Sequence, residues 1–412
     1  MAGPGSDLIG KEEKEAVLEV LEAGYLFRYG DRSNPGFKGK VWELERVLAE
    51  RIQTKYAVAV NSGTSALLVA LYALGIGPGD EVIVPGYTFI ASISSIVFAR
   101  AIPVLTEVDT TLNLDPQDVQ RKITPRTKAI MLVHMLGNPG RIDEIKRIAD
   151  ENNLFLIEDC AQALGATYKG KAVGSFGHMG TFSFNFYKTI TAGEGGAVVM
   201  SDEALYERSF AVHDQGHLPL RQGVEQGGRT VLGLDFRLTE LSAAVLLAQI
   251  QRIDAMKARM HQIKAILKTA ISDIEGVTFR ELPDPQGELA SLLVLFLPNE
   301  EITERVCKEL GSSNLSKSGW HVYSNMEHLL DKRTITAEGC PFTCPYYQGG
   351  EVNYTKGMLP QTDSLLRRAV NISVGVWDKG LGASFGATIK STDEHVLQQA
   401  EILVKVLNKY LK

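Results

Sequence analysis

"YAVAVNSGTSALLVALYALGIGPGDEVIVP", residues Tyr56–Pro85, turns from strand to helix and back to strand. "YAVAV" is a short apolar run, the pattern of a strand covered on both faces. "SALLVALYALGIGPGD" reads as a helix stopped by Gly75, Gly77 and Pro78, and "EVIVP" is a second buried strand. The alternation continues outward. "ASISSIVFARA" and "RIDEIKRIADENN" fit helices, and "IPVLTEVD", "AIMLVHMLG" and "FLIEDCA" are further apolar runs ending in polar or small residues. Upstream, "KEEKEAVLEVLEAG" fits a helix with Ala16, Val17, Val20 and Leu21 on one face and Gly24 at its end, and "VWELERVLAERI" fits a second. This predicts an α/β unit with a mostly parallel sheet covered on both faces. Ligands of such sheets sit beyond the carboxyl ends of the strands, which points to Asn61–Thr64, Tyr87–Phe89, His134 and Asp159.

At 412 residues the chain is long enough for more than one folding unit. "GLDFRLTELSAAVLLAQIQRIDAMKARMHQIKAILKTAISDI" contains no proline and reads as one long helical connection. Beyond it, "VTFRELPDP", "ASLLVLFLP" and "AVNISVG" read as strands, and "NEEITERVCKEL" and "TDEHVLQQAEILVKVLNKYL" as helices. The expected division is a large domain over 10–250 and a smaller α+β domain over 251–412. "EGCPFTCPYYQGGEVNY" is a loop rich in Pro, Gly and aromatics.

A formal net charge of −6 and the lack of a basic run speak against a nucleic-acid surface. Cys160, Cys307, Cys340 and Cys344 do not form a disulfide framework in a chain this long, and Cys340/Cys344 lacks the second pair of a zinc site. No metal is expected. No apolar run approaches a membrane span. "MAGPGSDLIGKEEKEAV" lacks the cationic start and apolar core of a signal peptide, so a cytoplasmic protein is expected.

Chemistry concentrates at the predicted strand ends. "NSGTSALLVAL" opens a helix with small residues, which suits an anion and equally suits plain capping by Asn61 or Ser62. "IEDCAQ" ends a strand with adjacent carboxylates on opposite faces, so only one of Glu158 and Asp159 faces the site, and Gln162 follows a turn later. "PGYTF" puts Tyr87 and Phe89 on one side of an extended segment, for stacking or for core packing. "SFNFYKTITAGEGG", Ser183–Gly196, holds Lys188 among aromatics and glycines. An anion cradle, a flat aromatic, a carboxylate and a lone lysine together are the parts that hold pyridoxal 5'-phosphate.

The motifs "NSGTSAL", "GDEVIVPGYTFIAS", "VHMLG", "IEDCAQALGATYKGKAVGSFG", "FSFNFYKTITAGEGGAVV" and "GLDFRLTELSAA" keep order and spacing across about residues 10 to 260, and continue more weakly to "LPQTDSLLRR". In these the chain resembles the DegT/DnrJ/EryC1/StrS sugar aminotransferases, pyridoxal-phosphate enzymes of the aspartate-aminotransferase fold. The resemblance implies a three-layer large domain, a smaller C-terminal domain, and a homodimer with shared active sites. By position it implies that Lys188 is the Schiff-base lysine and Asp159 the partner of the ring nitrogen. It makes Phe89 the stacking aromatic and Gln162 the neighbour of the ring hydroxyl, with Gly63, Thr64 and Ser183 on the phosphate.

Lys188 separates the chain from the branch that carries histidine there and dehydrates sugars. An amino-acid donor, glutamate or glutamine, and a keto-sugar acceptor are implied. "FRYG", "KTITAGEGG" and "FRELPDPQGE" look most like the branch that aminates an eight-carbon keto sugar acid of lipopolysaccharide (amino-Kdo), and keto-inositol aminotransferases share similar motifs. In "GLDFR" the chain carries Asp235 where the family usually has an Asn that reaches the partner subunit's phosphate. An ionised carboxylate would repel phosphate, so Asp235 is not assigned as a ligand. Arg28, His134, Tyr187, His217, Arg237, Trp320 and His321 are candidate substrate contacts. A dehydratase of the same fold and a cofactor-binding regulator are the rival classes, and the regulator lacks a basic DNA-binding segment.

Overall fold

The apolar runs assemble into a seven-stranded sheet in a computed structural model, which describes residues 3–31, 33–219 and 227–411. The strands are β1 (Tyr56–Val60), β2 (Glu81–Pro85), β3 (Ile102–Thr106), β4 (Thr127–Val133) and β5 (Phe155–Asp159). After a two-residue hairpin, β6 (Thr167–Tyr168) and β7 (Lys171–Ala172), come β8 (Met179–Ser183) and β9 (Gly196–Met200). The order is β1-β9-β8-β5-β4-β2-β3, and only β9 runs against its neighbours. β8 and β9 are not among the strands expected from the sequence. Thr181 and Ser183 interrupt the apolar run of the first, and the second follows a glycine-rich loop.

Alternate strand residues enter different cores, as the pleat requires. Ala57 and Ala59 pack with Leu44 and Leu48, beneath the helices Lys40–Ile52, Ile142–Glu151 and Glu240–Ile250. Val58 and Val60 pack with Leu67 and Leu71, beneath Gly63–Ala73, Ile90–Phe98 and Glu203–His213. Three layers result, as expected. The helix Lys11–Ala23 buries Val20 and Glu13, while Leu18 and Leu21 stand exposed. Its predicted apolar face is therefore only partly covered in one chain.

A second sheet, β10 (Thr278–Phe279), β11 (Leu292–Phe296) and β12 (Ala369–Ser373), is antiparallel and lies with the helices Ile253–Ile271, Glu300–Glu309 and Asp393–Leu411. Two features differ from the sequence reading. The long helical connection breaks at Gln251–Arg252 into Glu240–Ile250 and Ile253–Ile271, and Arg252 reaches back to Glu13. β10 is short because the chain then leaves the sheet, and the buried Arg280 guanidinium donates to the carbonyls of Met135 and Leu136 at 3.1 and 3.3 Å.

The segment after Leu315 returns to the large sheet. Tyr87 pairs with Val322, Tyr354 Oη donates to the Pro103 carbonyl at 2.7 Å, and Tyr347 Oη to Glu81 at 2.8 Å. This return brings Trp320 and His321 to the carboxyl end of β2. Among the described residues no helix is long and apolar enough to cross a membrane.

Candidate active site

The end of β5 separates two carboxylates. Glu158 points into the protein, accepting from His134 Nε2 at 3.0 Å and from the N–H groups of Gly174, Phe176 and Gly177. Burial opposes its charge, but these donors outweigh it and hold its pKa below the ordinary carboxylate value. Asp159 points the other way, into a cavity of about 500 Å³. Ser92 Oγ donates to its Oδ2 at 2.8 Å, Thr88 Oγ1 lies 2.7 Å from Ser92 Oγ, and the Ala161 N–H donates to Oδ1 at 3.1 Å. The carboxylate is thus fixed at both oxygens, with lone pairs left for a further donor.

At another wall of the cavity the helix Gly63–Ala73 begins. Ser62 caps it by accepting from Ser65 N–H, which leaves the N–H groups of Gly63 and Thr64 without an intrahelical acceptor. A Cβ on Gly63 would stand 2.7 Å from Ser183 Cβ. The close approach needs glycine, and it gathers two N–H groups and the Ser183 hydroxyl at one corner, a donor set that suits a phosphate. Phe89 precedes the helix Ile90–Phe98 and keeps a ring 39% exposed at the cavity, beside His321 at 5.4 Å and Trp320 at 6.4 Å. A planar group can stack on it. Tyr87, expected on the same side, is fully buried in the core and does not line the cavity.

Lys188 lies half-buried on the same cavity, in the loop between β8 and β9. Burial lowers its pKa against the opposing pull of Asp159, Asp378 and Glu194. A lysine so desolvated is shifted toward the free amine that attacks a carbonyl. Phosphate donors, a stacking ring, an anchored carboxylate and this amine share one cavity, so the residues present fit pyridoxal phosphate. Gln162 lines it too, with Oε1 accepting from the Leu136 N–H at 2.9 Å.

The candidate substrate contacts divide. Tyr187, Trp320 and His321 line the cavity. His321 is buried against Lys188, and its pKa falls to about 3. Arg28, His134, His217 and Arg237 do not line it in this chain. Arg28 is fully buried, bonded to His213 and Glu45 and covered by Trp42 and Phe210, so it serves packing. His134 is fully buried between Glu158 and the Gly140 N–H, which corrects its assignment to substrate. Arg237 joins Asp214 and Asp235 and covers Phe27, and His217 lies near that cluster, its N–H bonded to Asp214. Asp235 is thereby neutralised within its own chain. His134, Glu158 and Cys160 stand within metal-ligand reach of one another, but both Glu158 oxygens already take two N–H donors each.

Three contributors were not singled out from sequence. Ser92 and Thr88 orient Asp159, and their only signal is a four-residue spacing across a helix start. Asp378 comes from the C-terminal part with no motif around it.

Comparison with known proteins agrees with this geometry. The DegT/DnrJ/EryC1/StrS aminotransferase family matches residues 7–376. GDP-perosamine synthase of Escherichia coli O157:H7 is 42% identical over 271 residues, 66% of this chain and 71% of that protein. L-glutamine:2-deoxy-scyllo-inosose aminotransferase of Micromonospora echinospora is 41% identical over 338 residues, 76% and 77% of the two chains. The crystal structure of 3-amino-5-hydroxybenzoic acid synthase superposes with a TM-score of 0.78 at 28% identity, covering 99% of both chains. An aminotransferase from Psychrobacter cryohalolentis does so with 0.80 at 29%, covering 100% of both. With a match over most of its length and a cavity of the right chemistry, the chain belongs to the DegT/DnrJ/EryC1/StrS family of pyridoxal-phosphate-dependent aminotransferases.

Proposed function

We propose that this enzyme moves the amino group of glutamate or glutamine to the ketone of an uncharged polyhydroxy ring, a keto-inositol or a sugar of like character. The observation that carries the chemistry is that Lys188, Asp159 and Phe89 line one cavity. Bound pyridoxal phosphate would supply an electron-accepting ring that stabilises negative charge at the donor's α-carbon. Gly63 and Thr64 N–H and the Ser183 hydroxyl would hold its phosphate, and the Phe89 ring would lie against its face. Asp159, fixed by Ser92 and Ala161 N–H, keeps the ring nitrogen protonated. Gln162 lies by the ring hydroxyl. Lys188 would supply the amine that anchors the cofactor. When not anchoring the cofactor, the Lys188 amine would serve as the base that takes the proton from the donor's α-carbon. Acceptor and donor then use one site in turn, which predicts parallel lines in double-reciprocal initial-rate plots; intersecting lines would reject the shuttle.

The charges that this chain contributes to the wall favour an uncharged acceptor. Among the described residues that line the cavity, Lys188 is the one lysine or arginine, while Glu194 and Asp378 add carboxylates to Asp159. Carboxylates accept from hydroxyls and repel anions. The relatives matched over three quarters of this chain include aminotransferases whose names carry scyllo-inosose. An eight-carbon keto acid or a nucleotide-linked sugar would find one cation here and would need others from a second subunit. A panel of keto-inositols, nucleotide-linked keto sugars and an 8-keto-octulosonate, offered to the aminated cofactor form, decides. Preferential turnover of the octulosonate or the nucleotide sugar would overturn the uncharged acceptor.

We further propose a cytoplasmic homodimer with shared sites. Residues 10–250 carry the cofactor end, and 251–412 supply Trp320, His321 and Asp378.

A further inference from the structure

The peptide that carries Lys188 is braced from behind by a distant part of the chain. Residues Gly3–Leu8 lie along it. Gly3 N–H donates to the Phe186 carbonyl at 3.4 Å and Gly5 N–H to the Lys188 carbonyl at 3.3 Å. A Cβ on Gly3 would stand 2.2 Å from the Tyr187 carbonyl oxygen and 2.6 Å from that of Lys188. One on Gly5 would stand 2.7 Å from Ile190 Cα. No side chain fits at either place. Gln249, fully buried, ties the two segments: its Nε2 donates to the Gly5 carbonyl at 3.2 Å, and its Oε1 accepts from Thr191 N–H at 2.8 Å. On the far side Pro4 packs beside Gly375, whose own Cβ would meet Pro4 Cγ at 3.3 Å. Val376 and Asp378, just after it, line the cavity.

We propose that Gly3–Gly5, locked by Gln249, is a positioning strap that holds the Lys188 backbone in register with the cofactor. Lysine has a long, flexible stem, so the aim of Nζ depends on a backbone that does not drift. The loop is anchored by Phe184 on one side and Thr189–Thr191 on the other, all buried, while Asn185–Lys188 between them are half-buried or exposed and have less packing of their own to resist drift. The strap supplies that resistance from outside the loop. It touches neither the phosphate corner nor Asp159, so its loss should spare cofactor docking and impair only attachment to the lysine. The proposal rests on Lys188 being the cofactor's anchor.

The test uses Gly3→Val, Gly5→Val and Gln249→Leu, with Gly77→Ala as a control whose added Cβ meets no atom closer than 3.9 Å. Two quantities are read on cofactor-free protein. One is affinity for pyridoxine phosphate, which has the phosphate and ring but no carbonyl. The other is the rate at which pyridoxal phosphate becomes borohydride-trapped on Lys188, read by peptide mass. The strap variants should keep the first and slow the second by about tenfold or more, since a misplacement on the order of 1 Å costs this much. Equal loss of both, or of neither, overturns the strap. If the glycine variants do not fold, Gln249→Leu, which inserts no clash, decides alone by the same criterion. Trapping that survives at full level in Lys188→Ala would instead reject the anchor assignment.

Discussion

Ser92 and the Ala161 N–H hold the two oxygens of Asp159 and fix its carboxylate toward the cavity. Asp159→Asn keeps the shape and removes the charge. It should lower kcat by about a hundredfold or more, the usual cost of losing a preorganised electrostatic partner, and a variant within twofold of wild type would rule out the ring-nitrogen role. Gly63→Val is a separate case. Its side chain would strike Ser183 and close the phosphate corner, so affinity for pyridoxine phosphate should fall while Lys188 stays intact; isothermal titration reads this directly. Lys188, Asp159 and Phe89 could be picked from sequence as candidates, and they line one cavity, because each follows a strand or loop signal and each is odd in its setting. Arg28 and His134 looked equally functional. Their partners, His213 and Glu45 for one and Glu158 and Gly140 for the other, are remote or unremarkable in sequence. Residue type alone does not say whether a polar group is already satisfied.

At the scale of elements, the carboxyl end of β5 is held by Glu158 as firmly as the site is served by Asp159. Glu158 collects N–H groups from Gly174, Phe176 and Gly177, on the approach to β8, together with His134 at the end of β4. Removing it by Glu158→Ala leaves these buried donors unpaired and should cost about 3–5 kcal/mol. The pH dependence has a definite sign. The folded-state pKa of Glu158 lies below its ordinary 4.5, so its contribution is complete above that value. It is lost as pH falls through the folded value. Wild type should therefore lose melting temperature faster than Glu158→Gln on acidification below about 4.5; parallel curves would show that Glu158 does not stabilise the fold through its charge. The strands themselves were legible wherever aliphatic runs end in a polar residue. β8 and β9 were not, since Thr181, Ser183 and the glycines before β9 give the composition of a loop. Only their pairing with β5 and β1 makes them strands.

Among the described residues of the whole molecule, a group of exposed apolar side chains gathers around the helix Lys11–Ala23. Leu18 and Leu21 of the helix Lys11–Ala23 are exposed, as are Leu26 and Phe27 after it, and Leu232 and Leu234. Phe27 is joined to the second group through Arg237, which covers its ring and binds Asp235. A grouping of this kind suits the homodimer interface proposed above, which would cover the exposed end of the helix's apolar face at Leu21. Asp235 belongs to the same surface. Its charge is answered by Arg237 within the chain, so it can approach a second copy without bringing an uncompensated carboxylate to the phosphate. Leu21→Glu combined with Phe27→Glu should thus yield a single-chain mass by sedimentation velocity where wild type gives two. Because Lys188 is the one lysine or arginine among the described residues lining the cavity of one chain, the dissociated form should bind pyridoxine phosphate yet turn over slowly, by about tenfold or more, as expected when an Arg–carboxylate contact is lost. A fully active single chain would disprove the shared site, and an unchanged two-chain mass would move the interface elsewhere on the molecule.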